Sequence, residues 1–261
     1  MSQPLLKLDQ ATIRFGGLTA VGDFSLNVHA NELVGLIGPN GAGKTTAFNL
    51  ITGVYQPTGG TIHFGEKNIL GMKPHDLTKL GIARTFQNIR LFGSLSVFDN
   101  VRAATQLHRA NGIRCALWRG DGFHRAEKEV ETRVLELLDI FDLAKLRDEE
   151  AKSLPYGDQR RLEIVRALAT KPKLLLLDEP AAGMNPTEKE ELMNLIQFIK
   201  DKFQIAIMLV EHDMKVVMGI CEKIAVLEYG RKIAEGTPDQ IQKDPKVIAA
   251  YLGTEGEDDN A

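Results

Sequence analysis

The densest chemistry in the sequence lies in the run Gly38-Pro39-Asn40-Gly41-Ala42-Gly43-Lys44-Thr45-Thr46, which fits the pattern GxxxxGK[ST]. Glycines at 38, 41 and 43 let the main chain curl until several N–H groups face one anion, helped by the dipole of a following helix. Lys44 brings a positive charge to the β- and γ-phosphates of a nucleotide, and Thr45 offers a hydroxyl to Mg²⁺. A second cluster closes the run Leu174 to Leu177, where Asp178 and Glu179 stand side by side. A carboxylate at the end of a buried strand beside a phosphate loop is placed to hold Mg²⁺, commonly through water, and Asp178 takes that place. Glu179 is placed to polarise an attacking water as general base. Two carboxylates merely solvated at a strand end would not follow four leucines, so the pair points to an NTPase.

The elements that must carry these groups are legible around them. Leu33 to Ile37 is a nearly apolar strand running into the loop, and Lys44 to Ile51 opens a helix. Leu174 to Leu177 and Ile205 to Val210 read as central parallel strands buried on both faces. Glu188 to Phe203 has Leu192, Leu195, Ile196, Ile199 and Phe203 on one helical stripe. Ile224 to Glu228 and Arg231 to Ala234 form a hairpin around Tyr229-Gly230. Before the loop, the first 40 residues read as short strands and turns, with Phe24, Leu26 and Val28 alternating and a turn at Ala30-Asn31. Gly53 to Gly65 reads as turns. From Ser94 to about Lys152 the pattern becomes helical, with Asn111 to Phe123 (holding Trp118 and Cys115) as an insertion or loop. Trp118 is expected to cover a small local cluster rather than to meet a partner.

The 261 residues suffice for one large α/β domain or one with an inserted lobe. A net charge of -3 gives no basic face for nucleic acid, so no nucleic-acid partner is expected. Cys115 and Cys221 are the only cysteines; they form no CxxC pair, cannot make a disulfide framework, and read as two free thiols in a reducing compartment. The N-terminus MSQPLLKLDQ lacks the pattern of a signal peptide, and no run approaches the length of a membrane helix. A cytoplasmic chain is expected, with any membrane link made through a partner.

Kinases, GTPases and helicases share these two motifs, so a third must decide between them. Just before the carboxylate strand lies Ser153-Leu-Pro-Tyr-Gly-Asp-Gln-Arg-Arg-Leu-Glu-Ile-Val-Arg-Ala-Leu-Ala. Here the chain resembles the ABC ATPase family, whose signature reads roughly LSGGQ and closes over the ATP held by another subunit's phosphate loop. The resemblance implies ATP and Mg²⁺ as cofactors. Its fold is a P-loop NTPase core of α/β class with a parallel sheet, an N-terminal antiparallel β subdomain and an inserted helical subdomain. The core is expected at about 1–93 and 153–261, the helical part at 94–152, and a disordered acidic tail at 254–261.

Further roles follow from the resemblance alone. Phe15 sits where an aromatic ring stacks on adenine, and Gln87 where a glutamine senses Mg²⁺ and the membrane partner. Ser153, Tyr156, Gly157 and Asp158 belong to the signature that meets nucleotide. Ala182 to Asn185 stands where a loop crosses the dimer interface, and His212 where a histidine contacts the γ-phosphate. Pro155 stands where the family has a serine hydroxyl, and Tyr156 replaces its first glycine. A proline offers neither hydroxyl nor N–H, so a weaker half-site is expected unless Gly157 N–H and a helix start at Asp158 suffice.

Arg14-Phe-Gly-Gly-Leu, Arg84-Thr-Phe-Gln-Asn-Ile-Arg-Leu-Phe, the Leu-Pro-Tyr-Gly-Asp-Gln signature, Glu211-His-Asp-Met-Lys-Val-Val-Met and the ending Ala250-Tyr-Leu-Gly look like the ATPase of bacterial branched-chain amino-acid importers. That likeness implies a peripheral subunit at the cytoplasmic face of the inner membrane. Its partners would be two permease subunits, a second ABC ATPase or a second copy as homodimer, and indirectly a periplasmic substrate-binding protein. ATPases for urea, amides or lipopolysaccharide export are similar. A soluble ABC ATPase of DNA repair or translation usually has two such domains or a basic surface, and a small-molecule kinase would have no use for the signature.

Overall fold

The computed structural model describes residues 3–108 and 121–252. In chain order the first elements are β1 (Leu6–Phe15), β2 (Leu18–Val28), β3 (Leu33–Ile37), α1 (Lys44–Ile51), β4 (Gly59–Phe64), β5 (Lys67–Asn68) and α2 (Pro74–Leu80). Next come β6 (Ile82–Arg84), α3 (Val97–Thr105), α4 (Asp121–Ile140) and α5 (Tyr156–Ala169). The last third holds β7 (Leu174–Asp178), α6 (Pro186–Phe203), β8 (Ala206–Val210), α7 (Met214–Ile220), β9 (Lys223–Glu228), β10 (Arg231–Gly236), α8 (Pro238–Lys243) and α9 (Pro245–Leu252). Two compact units result. The first comprises the chain through Leu77 with the chain from Lys173 onward; the second is Thr78–Pro172, wider than the 94–152 helical part expected from sequence.

The first unit is built on strands with no polar face. Every residue of β3, β7 and β8 is buried. Their Leu, Ile and Val side chains are each worth about 1.5–3 kcal/mol of burial. The strands run parallel, with β3 between β8 and β9 and with β7 outside β8. β10 closes that edge antiparallel to β9. Because parallel neighbours share a direction, the C-terminal ends of β3, β7 and β8 come together at one edge of the sheet. Helix α6 lays Leu192, Ile196 and Ile199 inward, and its start is fixed by a capping box between Asn185 and Glu188 with Pro186 in the first turn.

A separate antiparallel sheet, β2-β1-β4-β5, forms the N-terminal part of this unit. Its strands are longer than the sequence suggests, because bulges interrupt the alternation. Gln10 and Asp23 adopt φ near 49° and 50°, and the β1–β2 register shifts between Leu8 and Ala11. Gly59–Phe64, read above as part of a run of turns, is a strand paired with β1. Only Ile62 and Phe64 of it are buried, too little alternation to announce a strand among glycines and threonines.

In the second unit α3 packs on α5, and Asn100 organises the approach. Its wholly buried amide accepts from Phe92 N and donates to the carbonyls of Phe92, Leu95 and Ser96. Val130, Val134, Leu137, Leu138 and Phe141 recur at helical spacings of three and four; the last four are buried and Val130 is half-buried. Of the insertion expected at 111–123, residues 111–120, with Trp118 and Cys115, lie outside the described residues, and 121–123 begin α4 instead. The acidic tail also lies outside them.

Candidate functional site

The phosphate loop, residues 38–43, joins β3 to α1 and is fixed mainly by main chain. A Cβ at Gly38 would lie 2.1 Å from the Leu227 carbonyl, and one at Gly43, whose φ is 101°, would lie 2.7 Å from the Ala20 carbonyl. Both positions therefore exclude every side chain. The β9–β10 turn supports the loop from outside: Gly230 N–H donates to the Ala42 carbonyl at 2.9 Å, and Gly22 N–H donates to the Gly230 carbonyl at 2.8 Å. Both turn residues, Tyr229 and Gly230, have positive φ, the geometry of a two-residue hairpin. Pro39 is half-buried, Asn40 and Gly41 are exposed, and Ala42 is buried.

Lys44 is 7% exposed, and its ammonium donates to the carbonyls of Gly38 at 2.7 Å and Pro39 at 2.9 Å. Burial lowers its pKa, while the carboxylates of Glu179 and Asp178 oppose that shift. The lysine is thus held over the loop with both carboxylates in its field. Thr45 is exposed and Thr46 half-buried. Asp178 is 3% exposed at the end of β7. The Thr45 hydroxyl and Asp178 carboxylate are oxygen donors, a set that suits Mg²⁺ completing its shell with water and phosphate oxygens.

Glu179 is the first residue past β7, and its N–H donates to the Val210 carbonyl at 2.9 Å, extending the β7–β8 ladder by one step. Its φ is 47°, a left-handed conformation uncommon for glutamate. His212 Nδ1 lies 3.7 Å from a Glu179 carboxylate oxygen, and the imidazole is largely exposed. Beside His212 stands Glu211, which the sequence shows only as the first residue of a family string and gives no role. It is wholly buried, and its carboxylate accepts from Ala181 N at 2.7 Å and from His212 N at 3.2 Å. One carboxylate thereby ties the loop after Glu179 to the backbone of His212. Burial raises the Glu211 pKa against the pull of those N–H donors.

Phe15 ends β1 with nearly half its surface exposed, and the Tyr55 ring meets it edge-on at 5.2 Å. Tyr55 was not picked out from sequence; it steadies the ring expected to stack on a base. Phe15 pairs with Leu18 at the β1–β2 hairpin, and Leu18 lies two residues before Ala20, whose carbonyl leaves no room for a Cβ at Gly43. The first unit thus assembles Phe15, the loop 38–46, Asp178, Glu179 and His212.

Gln87 and the signature lie in the second unit. Helix α5 starts at Tyr156, two residues earlier than the Asp158 start read from sequence, with Pro155 as its N-cap. A proline there has no side-chain oxygen to cap the helix, and only its carbonyl takes part, accepting from Gln159 N at 3.0 Å. The Ser153 hydroxyl donates to the Glu150 carbonyl at 2.7 Å, within its own turn. Tyr156 is exposed, while Gly157 and Asp158 are half-buried. Gln87 is exposed near the start of the loop after β6, three residues past Arg84. Two further charges, Arg160 and Glu163, are 2% exposed each and were not foreseen.

A family model described as ABC transporter matches residues 21–182, and one described as branched-chain amino acid ATP-binding cassette transporter matches 231–257. The chain belongs to the ABC transporter family. This ABC ATPase is 46% identical over 253 residues to the high-affinity branched-chain amino acid transport ATP-binding protein LivG of Salmonella typhimurium, covering 97% of this chain and 99% of the relative. It is 44% identical, with the same coverage, to the corresponding protein BraF of Pseudomonas aeruginosa. The crystal structure of an ABC transporter ATP-binding cassette in its ADP conformation matches it with a TM-score of 0.83 at 30% identity, covering 97% of this chain and 100% of that one. The ABC ATPase therefore has the α/β fold of nucleotide-binding cassettes. Among its described residues no helix is long and apolar enough to cross a membrane.

Proposed function

We propose that this chain is the ATP-hydrolysing subunit that powers a membrane importer of branched-chain amino acids. In this reading it docks peripherally at the cytoplasmic face of the inner membrane on two permease subunits. It pairs there with a second ABC ATPase or a second copy of itself, and a periplasmic binding protein delivers the solute. One observation carries the enzymatic part: Lys44, Asp178, Glu179 and His212 stand at the adjoining ends of β3, β7 and β8, with Lys44 in the field of both carboxylates. The solute is supported by the end-to-end match to relatives named for branched-chain amino acid transport.

The residues then divide the work. Phe15, steadied by Tyr55, stacks on adenine, and the amides of the loop from Gly38 to Thr46 wrap the phosphates. Lys44 exchanges the carbonyls of Gly38 and Pro39 for phosphate oxygens. Thr45 and Asp178 hold Mg²⁺, which when bound spreads the charge of the β- and γ-phosphates. Glu179 takes a proton from the attacking water, and His212, kept within 3.7 Å of that carboxylate, reaches the γ-phosphate. Gln87 and the Tyr156–Asp158 signature belong to the parts that answer to the permeases and to the opposing nucleotide. The test is uptake in a host deleted for this gene. Loss of leucine, isoleucine and valine uptake, restored by the chain and not by its Glu179→Gln variant, supports the reading. Unchanged uptake of all three sinks the solute assignment.

A further inference from the structure

Arg160 is almost completely buried, and each of its five N–H groups is spoken for. Nε and Nη2 donate to the Tyr156 hydroxyl at 3.2 and 2.9 Å. Nη1 donates to the Phe86 carbonyl at 2.6 Å and to Glu163 at 3.2 Å, and Nη2 also reaches the Gln87 carbonyl. The other oxygen of Glu163 accepts from the amides of Phe86 at 3.4 Å and Arg90 at 3.2 Å. The spacing explains the meeting: residues 156, 160 and 163 fall on one helical face, at i,i+4 and i,i+3. Side chains of α5 thus grip both polarities of the main chain that carries Gln87, from Phe86 to Arg90.

Apolar packing would hold a loop against a helix at least as firmly, because a buried ion pair roughly breaks even against a hydrophobic replacement. Packing would not fix the direction of the Gln87 carbonyl. The grip reaches the surface through Tyr156, which is 46% exposed while its hydroxyl points inward to Arg160. A glycine at that position, as in the family pattern, leaves two guanidinium donors without that acceptor.

We propose that Tyr156, Arg160 and Glu163 form a positioning clamp that couples the first turn of the signature helix, exposed at Tyr156, to the Gln87 loop. Pressure of an opposing nucleotide on Tyr156–Gly157 is then handed through one guanidinium to Gln87. This rests on the reading of the chain as an ATPase that pairs around nucleotide.

Hydrogen–deuterium exchange on the full chain tests it, in Tyr156→Phe, Arg160→Lys and Glu163→Gln, with the 162–169 segment of α5 as internal reference. Without nucleotide, the Phe86 and Arg90 amides are expected to exchange about tenfold faster in each variant, the size of one lost charge-assisted bond, while 162–169 is unchanged. Tyr156→Phe deletes only a hydroxyl, so it keeps the test valid if either charge variant unfolds. In a Glu179→Gln background, ATP is expected to protect both the signature and 84–92, and Tyr156→Phe to keep the first protection and lose the second. Unchanged exchange at 86–90 in Tyr156→Phe without nucleotide overturns the clamp. Protection of 84–92 that survives Tyr156→Phe overturns the coupling. If ATP protects nothing even in the Glu179→Gln parent, the pairing reading fails, and with it the coupling, while the nucleotide-free comparison still decides the clamp.

Discussion

Around Lys44 the loop is held by main chain: Gly38 and Gly43 lie too close to the carbonyls of Leu227 and Ala20 for any Cβ, and the amide of Gly230 bonds Ala42. Around Gln87 the loop is held by side-chain charge, with an arginine and a glutamate reaching out of α5 to four backbone groups. The first arrangement makes a rigid cradle whose side chains are left to the nucleotide. The second makes a joint whose geometry depends on a few polar bonds. A part that must bind phosphate the same way in every cycle is built from backbone, and a part read here as relaying movement is built from exchangeable contacts.

This contrast predicts that chemistry and stability respond separately. Glu179→Gln is expected to slow ATP turnover by about 10³-fold, within the range for loss of a general base, with no more than a small change in melting temperature. Turnover within tenfold of the parent in a phosphate-release assay would break the assignment. Glu163→Ala, in the other unit, should do the reverse. It leaves Arg160 buried without its ion-pair partner and strands the amides of Phe86 and Arg90, so urea unfolding should show a loss of about 3–5 kcal/mol. A loss under about 1 kcal/mol would mean that the charges do not hold the joint.

Glu211 sharpens the comparison, being the charged residue on which the backbone-built unit leans. Its folded pKa is raised by burial, so its contribution to stability is full below the ordinary value of 4.5 and is lost as pH rises through the folded value. Glu211→Gln cannot titrate. The stability difference, parent minus variant, should therefore fall as pH goes from about 4.5 toward neutrality; a difference that rises with pH contradicts it. The smallest effect is expected at Pro155. Pro155→Ser supplies the missing cap of α5, worth about 1 kcal/mol in thermal unfolding, and restores the hydroxyl of the family signature. If ATPase rate and ATP-driven pairing stay unchanged while stability rises, the proline costs the helix and not the half-site.

Strands β3, β7 and β8 were legible because both their faces are buried, which forces continuous apolar runs that sequence displays directly. The loop residues were legible because so few residue types can curl around phosphate. Arg160 and Glu163 were not, since in a helix spaced Arg and Glu look the same whether they face water or a neighbouring main chain. Glu211 was hidden for a similar reason, since nothing in the string shows that its carboxylate turns inward to the Ala181 amide. Residues 59–64 hid their pairing behind glycine and threonine, and Pro155 misled about where α5 begins, because a proline just ahead of a helix reads as a break and acts as its first boundary.

The left-handed backbone of Glu179 also bears on how such enzymes diverge. A glutamate held at φ 47° carries a strain of about 1–2 kcal/mol that asparagine or glycine largely escapes. Replacement by either relaxes the main chain at the moment it removes the base. After gene duplication, selection against misfolding would therefore offer no resistance to losing the activity of one copy. A silent ATPase that still folds and keeps its phosphate loop lies one inexpensive substitution away.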